Sequence, residues 1–146
     1  SVLFRKLSAY YEGNLQGKAI ALWGLAFKAE TDDMREATSL VTIEHLLEAG
    51  CTIRVFDPVA MDECRRRLGD KVIYAKDIYD AALGADALLL LTEWKQFRLP
   101  SWEVVRRAMT SPVLIDGRNL YNPAEMRDNG FEYFSIGRPG ICEIPE

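Results

Sequence analysis

The sequence predicts a doubly wound α/β fold, with a mostly parallel sheet of about six strands and helices on both of its faces. Strand-like and helix-like runs alternate about six times along the chain, which is typical of such folds. The run from Asp86 to Leu91 is continuously apolar, as expected of a strand that is covered on both faces. Right-handed crossovers between parallel strands then favour a doubly wound sheet. At 146 residues the chain has the size of one domain with its own core.

In chain order, each predicted strand is a short apolar run that ends at turn or polar residues. Gly24 ends the first run, and Asp57-Pro58 closes the second. The fifth run leads directly into Asp116-Gly117-Arg118, where the glycine permits a turn. The predicted strands span residues 18–23, 51–56, 72–74, 86–91, 113–115 and 131–136.

The predicted helices lie between these strands and carry apolar residues at helical spacing. The second helix is the clearest, because its apolar residues fall on one face and Gly50 stands at its carboxyl end. The last helix begins with Pro123, a residue that suits the first helical turn. The predicted helices span residues 1–12, 36–49, 60–68, 77–83, 102–109 and 123–128. We expect residues 1–14 to be the end of an interdomain helix, 15–138 the α/β domain and 139–146 a loose tail.

Charge and composition exclude several classes of function. The net charge of −4 and the pI of about 5.1 argue against a nucleic-acid partner or an acidic membrane surface. No apolar stretch reaches the roughly 18 residues of a membrane span. The three cysteines show no metal-ligand spacing, so we expect reduced thiols, no metal site and a cytoplasmic protein.

The segment from Gly24 to Ala37 joins the first strand to the following helix, a position where α/β folds bind ligands. It has one glycine instead of the three of a dinucleotide fingerprint, so we expect no conventional dinucleotide here. Phe27 could belong to the core or line the pocket of a ring, and Lys28 suits a phosphate or a sugar hydroxyl. Arg35 opposes the helix dipole in a first turn, whereas its guanidinium suits a phosphate.

Two further polar segments follow strands and share the same edge of the predicted sheet. One is Asp116-Gly117-Arg118-Asn119, in which Arg118 is either a salt-bridged structural residue or a ligand contact. The other is Thr92-Glu93-Trp94, where Trp94 could simply pack under the loop and Glu93 could accept a hydroxyl hydrogen bond. We find no Ser-His-Asp or Cys-His arrangement in the sequence, so we expect no catalytic residue in this chain.

These segments resemble a known family signature. Residues 24–37, with Gly-Leu-Ala-Phe-Lys, Thr-Asp-Asp and Arg, resemble the start of the C-terminal domain of the UDP-glucose/GDP-mannose dehydrogenases. The similarity continues through Thr92-Glu93-Trp94, Phe97-Arg98 and Asp116-Gly117-Arg118-Asn119 to about residue 138. The Thr-Glu-Trp and Phe-Arg pairs look most like the UDP-glucose 6-dehydrogenase branch. The resemblance implies a Rossmann-like UDP-sugar-binding domain over residues 15–138.

The resemblance also implies roles for individual residues. Phe27, Lys28 and Arg118 would contact the UDP-sugar, and Arg35 would reach the pyrophosphate of an NAD held mainly by another domain. The family's catalytic cysteine lies in a Cys-Phe-Pro-type motif that this chain lacks, so the chain alone should be inactive. We expect the parent to oxidise UDP-glucose with NAD, as a homodimer or higher oligomer formed through a missing central helix. The alternatives are a GDP-mannose or UDP-N-acetyl-hexosamine dehydrogenase, or a non-catalytic nucleotide-sugar-binding module.

Overall fold

The computed structural model describes residues 2–25 and 38–136, and for Thr38 only the backbone. Six strands and six α-helices alternate in this part of the chain, and two 3₁₀ turns, Gly69–Lys71 and Lys95–Phe97, interrupt the connections. The strands are β1 Ala19–Trp23, β2 Thr52–Phe56, β3 Ile73–Tyr74, β4 Ala87–Leu90, β5 Val113–Asp116 and β6 Glu132–Ser135. The helices are α1 Val2–Tyr10, α2 Thr38–Glu48, α3 Met61–Leu68, α4 Ile78–Ala82, α5 Trp102–Ala108 and α6 Pro123–Asp128.

The six strands form one fully parallel sheet in the order β3-β2-β1-β4-β5-β6. This is the order of a Rossmann-like sheet, in which the direction of winding reverses between β1 and β4. The doubly wound fold predicted from the sequence is confirmed. The predicted strands also agree with the observed ones to within a residue or two, although Cys51, expected to open β2, lies just before it.

Helices cover both faces of the sheet because alternate side chains of each central strand point to opposite sides. On one face Leu22 of β1 and Leu89 of β4 pack with α1, α2 and α3. On the other face Trp23 and Leu90 pack with α4, α5 and α6. All four β4 side chains are buried, which explains why that strand reads as a continuous apolar run.

Side-chain caps fix the starts of the three shorter helices α4, α5 and α6. Asp77 caps α4, Ser101 caps α5 and Asn122 caps α6, each by accepting a backbone N–H three residues further on. Pro123 occupies the first turn of α6, as predicted. No helix within the two described ranges is both long enough and apolar enough to cross a membrane.

Candidate functional site

The carboxyl ends of four neighbouring strands lie level with one another. The register pairs Trp23 of β1 with Phe56 of β2 and with Leu90 of β4, and it pairs Leu90 with Asp116 of β5. The loops that follow these strands therefore leave the sheet at one edge, on both sides of the point between β1 and β4 where the winding reverses. This edge is where doubly wound sheets bind ligands.

Gly24 follows β1 and lies between the end of β2 and the residue Thr92, which follows β4. Its N–H donates to the Phe56 carbonyl at 2.8 Å, and its φ of +97° is a conformation that favours glycine. A Cβ at this position would lie 2.6 Å from the Thr92 Cβ and 2.7 Å from the Thr92 backbone nitrogen. Thr92 thus fills the space beside the first turn, whereas a dinucleotide-binding turn lets the pyrophosphate approach the backbone there.

Asp57, the residue after β2, ties three of these loops together. Its Oδ2 accepts hydrogen bonds from the Leu25 N–H at 2.8 Å and from the indole Nε1–H of Trp94 at 3.1 Å. Its Oδ1 accepts from the backbone N–H groups of Val59 and Ala60, both at 2.8 Å. The side chain is almost fully buried, at 1% exposure, and is stable there because both oxygens are engaged.

The two ends of the predicted ligand loop meet. The Ser39 hydroxyl at the start of α2 donates to the Leu25 carbonyl at 2.5 Å, and Leu25 is fully buried. Phe27, Lys28 and Arg35, the site residues predicted within this loop, lie outside the described residues. The chain therefore leaves the sheet at Leu25 and returns to the same point at Ser39, beside Gly24 and Asp57.

Asp116, at the end of β5, organises the backbone around Arg118. Its Oδ1 accepts the Arg118 N–H at 2.9 Å, while its Oδ2 accepts the Tyr121 N–H at 2.9 Å and the Tyr133 hydroxyl at 2.7 Å. The Asp116 side chain is fully buried. Burial and, secondarily, the Asp116 charge raise the pKa of Tyr121 far above its usual value, so its hydroxyl stays protonated and donates to the Phe97 carbonyl.

Gly117 brings the same loop onto the end of β4. Its N–H donates to the Leu90 carbonyl at 2.9 Å, and a Cβ would lie 2.7 Å from that oxygen and 3.0 Å from a Leu3 methyl carbon. Asn119 adopts a positive φ of 54°, a conformation that asparagine tolerates. These constraints fix the backbone position of Arg118.

Arg118 lies at the ligand-binding edge and faces Glu93. Its Nη2 is 3.3 Å from the Glu93 Oε1, and the side chains are 41% and 39% exposed. The sequence placed both residues at the same edge but did not predict that they pair. An exposed pair of this kind contributes about 1 kcal/mol or less to stability, so the guanidinium can exchange Glu93 for another anion at little cost.

Trp94 and Phe97 pack beneath the loop that follows β4, the structural alternative considered above for Trp94. Phe97 is fully buried and stacks on Trp23 with ring centroids 5.4 Å apart. Trp94 is 9% exposed, and its indole N–H points inward to Asp57. The hydrogen bonds of Asp57, Asp116 and Tyr133 were not predicted from the sequence, because each joins residues that the chain order keeps apart.

Neither of the cysteines in the described part of the chain is an activated thiol. Cys51 and Cys64 are buried. Burial, helped by the nearby Asp86 charge, raises the pKa of Cys51 to about 11, and burial also raises the pKa of Cys64. Both therefore remain protonated near neutral pH. Across residues 2–25 and 38–136, no cluster of three or more His, Cys, Asp or Glu side chains could hold a metal ion.

Comparison with known proteins identifies the family. The model of the UDP-binding domain of the UDP-glucose/GDP-mannose dehydrogenase family matches residues 21–123. The chain belongs to this family. It is 50% identical to the UDP-glucose 6-dehydrogenase of Pseudomonas aeruginosa over 97% of its length, and 40% identical to UDP-glucose 6-dehydrogenase TuaD of Bacillus subtilis over 88%. It covers 33% and 28% of these two proteins, so it spans about a third of the curated relatives it matches.

Solved structures of family members show the same fold. A UDP-glucose dehydrogenase from Pyrobaculum islandicum matches 92% of this chain with a TM-score of 0.74 and 28% identity, over 29% of its own chain. The NDP-N-acetyl-D-galactosaminuronic acid dehydrogenase of Methanosarcina mazei matches 94% with a TM-score of 0.78 and 27% identity, over 28% of its own chain. The resemblance inferred from the sequence motifs is confirmed.

Proposed function

We propose that this UDP-binding domain holds the UDP-sugar of a UDP-glucose 6-dehydrogenase in the crevice at the carboxyl ends of β1, β4 and β5. The observation that carries the proposal is Arg118, an accessible guanidinium at that edge whose backbone is fixed by the buried Asp116. A diphosphate offers two acceptor oxygens to such a planar fork, and a bidentate, charge-assisted contact is stronger than the long pair with Glu93. Identity of 50% to a UDP-glucose 6-dehydrogenase supports the choice of sugar nucleotide.

The remaining contacts in the proposal come from the segment between Leu25 and Ser39. Phe27 lines the pocket of the uracil ring, and Lys28 supplies a point charge for a phosphate or a donor for a sugar hydroxyl. Ligand binding draws the Arg118 guanidinium away from Glu93. Once released, the Glu93 carboxylate is available to accept a hydroxyl hydrogen bond from the sugar or ribose.

NAD fits poorly in this crevice. Thr92 fills the space beside Gly24, and the carboxylate of Asp57, the acid that follows β2, is committed to the protein itself. We therefore propose that a different part of the full-length protein holds NAD and that Arg35 only reaches its pyrophosphate. NAD would accept the hydride as the sugar C6 alcohol is oxidised to a carboxylate. This chain orients the UDP-sugar and supplies no catalytic group, and the full-length protein works as a cytoplasmic homodimer or higher oligomer.

Titration of UDP into the full-length protein tests the proposal. Arg118→Ala should weaken UDP binding by roughly 10- to 150-fold, the range expected when a charge-assisted hydrogen bond is lost. Arg107→Ala is the matched control, because Arg107 forms another exposed ion pair, 2.7 Å from Glu103, in the last turn of α5. Equal binding by Arg118→Ala and wild type would refute the assignment. Tighter binding of GDP than of UDP would favour the GDP-mannose dehydrogenase alternative.

A further inference from the structure

The acidic residue after β2 has an unusual orientation for a sheet of this kind. In a dinucleotide-binding sheet, that acid hydrogen-bonds a ribose hydroxyl of the ligand, so its carboxylate faces the crevice. Here Asp57 is 1% exposed, and both of its oxygens face protein donors. The acid that usually hydrogen-bonds a ribose hydroxyl is here hydrogen-bonded to the loops beneath the crevice.

We propose that Asp57 is a positioning residue that fixes the loops after β1 and β4 relative to each other for binding of the UDP-sugar. This inference rests on the proposed function. Oδ1 makes a local contact, since it accepts from the turn at Val59 and Ala60. Oδ2 makes the long-range contact, since it joins Leu25 and Trp94, which lie in the loops that follow β1 and β4, the two strands at the winding reversal.

The two residues that Oδ2 joins stand next to the proposed ligand contacts. Leu25 is two residues before Phe27 and three before Lys28, and its carbonyl also holds Ser39. Trp94 directly follows Glu93, the partner of Arg118. A carboxylate that binds both Leu25 and Trp94 therefore sets the spacing between the two sides of the crevice. It does so without touching the ligand, because its oxygens are already occupied.

Trp94→Phe isolates the long-range half of this arrangement, because it deletes the indole N–H and keeps an aromatic ring in the core. Trp23→Phe is the matched control. The Trp23 Nε1–H donates to the Ile78 carbonyl at 3.1 Å, the same length as the Trp94–Asp57 bond, and both bonds are buried. In the full-length protein both variants should lower the melting temperature. Only Trp94→Phe should weaken UDP binding, by about 3- to 10-fold, as expected for one displaced hydrogen-bonded contact.

A second variant tests whether Trp94 acts through Asp57. In Asp57→Asn only one of the two oxygen positions still accepts hydrogen bonds. The other becomes an N–H₂ group that faces the N–H donors which the carboxylate oxygen accepted from. The double variant Asp57→Asn/Trp94→Phe removes one of the two donors on the Oδ2 side, so the amide can turn its N–H₂ group to the side that has lost a donor. It should bind UDP no more weakly than Asp57→Asn alone, whereas losses that multiply would overturn the proposal.

The outcomes separate this inference from the proposed function. If wild-type protein fails to bind UDP, the proposed function is wrong. If wild type binds UDP and Trp94→Phe binds it equally well at a temperature where both are folded, the proposed function stands and the positioning role of Asp57 is refuted. If Trp23→Phe weakens UDP binding as much as Trp94→Phe, the effect is one of general stability and the positioning role is again refuted.

Discussion

Substitution of Gly24 by alanine should damage the candidate site through two separable effects. The first is backbone strain, because φ at Gly24 is +97°, a value that residues other than glycine rarely adopt. The second is a steric conflict, because the new Cβ would lie 2.6 Å and 2.7 Å from the Thr92 Cβ and backbone nitrogen. The Thr92 backbone nitrogen lies just past the end of β4, so it cannot move aside without shifting the end of that buried strand as well.

The size of each effect follows from a matched control at Gly84. Gly84 also has a positive φ, of +73°, but a Cβ there would meet nothing within 4 Å. Gly84→Ala therefore reports strain alone, about 1–2 kcal/mol. Overpacking adds about 1–3 kcal/mol, so Gly24→Ala should lose roughly 2–5 kcal/mol in total. A loss of that size is a large fraction of the 5–15 kcal/mol that stabilises a typical domain.

Urea unfolding of wild type and the two variants measures these losses, and titration of UDP into the same proteins measures the effect on the site. We expect Gly24→Ala to unfold at a distinctly lower urea concentration than Gly84→Ala and to bind UDP more weakly, while Gly84→Ala binds UDP as wild type does. Equal destabilisation by the two substitutions would show that the Gly24–Thr92 contact does not restrict the backbone, and the reasoning would fail.

Three further predictions concern stability. Tyr133→Phe should lower the unfolding free energy measured by urea titration by about 1–3 kcal/mol, because it removes a hydrogen-bond donor from the buried Asp116 carboxylate. A loss below about 0.5 kcal/mol, typical of a surface substitution, would contradict this prediction. Arg118→Ala should change the unfolding free energy by about 1 kcal/mol or less, because its partner Glu93 is exposed, and a larger loss would mark Arg118 as structural. The raised pKa of Cys51, about 11 against its usual 9.0, means that the unfolded chain releases a proton above pH 9 that the folded chain retains. Unfolding free energy should therefore fall between about pH 9 and 11, and part of that slope should disappear in Cys51→Ala.

The sequence predicts the sheet well because each strand carries its own signal. The apolar run before Gly24 and the continuous run at β4 identify strands without reference to any other part of the chain. Placing Arg118 at the ligand edge needs only one more rule, that parallel strands end on the same side. These local and topological signals fix which residues lie at the edge, and the structure places Arg118 there, whereas Phe27, Lys28 and Arg35 lie outside the described residues.

The hydrogen bonds that hold the edge together carry no such local signal. Trp94 and Asp57 are 37 positions apart, and Tyr133 and Asp116 are 17 apart, so their contacts depend on how loops from different strands pack. Asp57 looks like an ordinary strand-ending Asp-Pro turn in the sequence. Asp57 is buried because the winding of the chain brings Leu25 and Trp94 to it, and that contact cannot be predicted from the residues next to Asp57 in the sequence.

The hydrogen bond between Ser39 and the Leu25 carbonyl has a consequence for how recognition can diversify. Because the ends of the intervening segment, residues 26–38, are already joined, the sheet does not depend on its length. As a general rule, each doubling of the length of a connecting segment adds only about 0.6 kcal/mol to the entropic cost of closing it. Insertions, deletions or wholesale exchange of that segment should therefore be tolerated far better than changes at Gly24 or Asp57. On the ligand-binding role that we propose for this segment, ligand preference can evolve, or be engineered by transplanting the segment between relatives, on a scaffold that still folds.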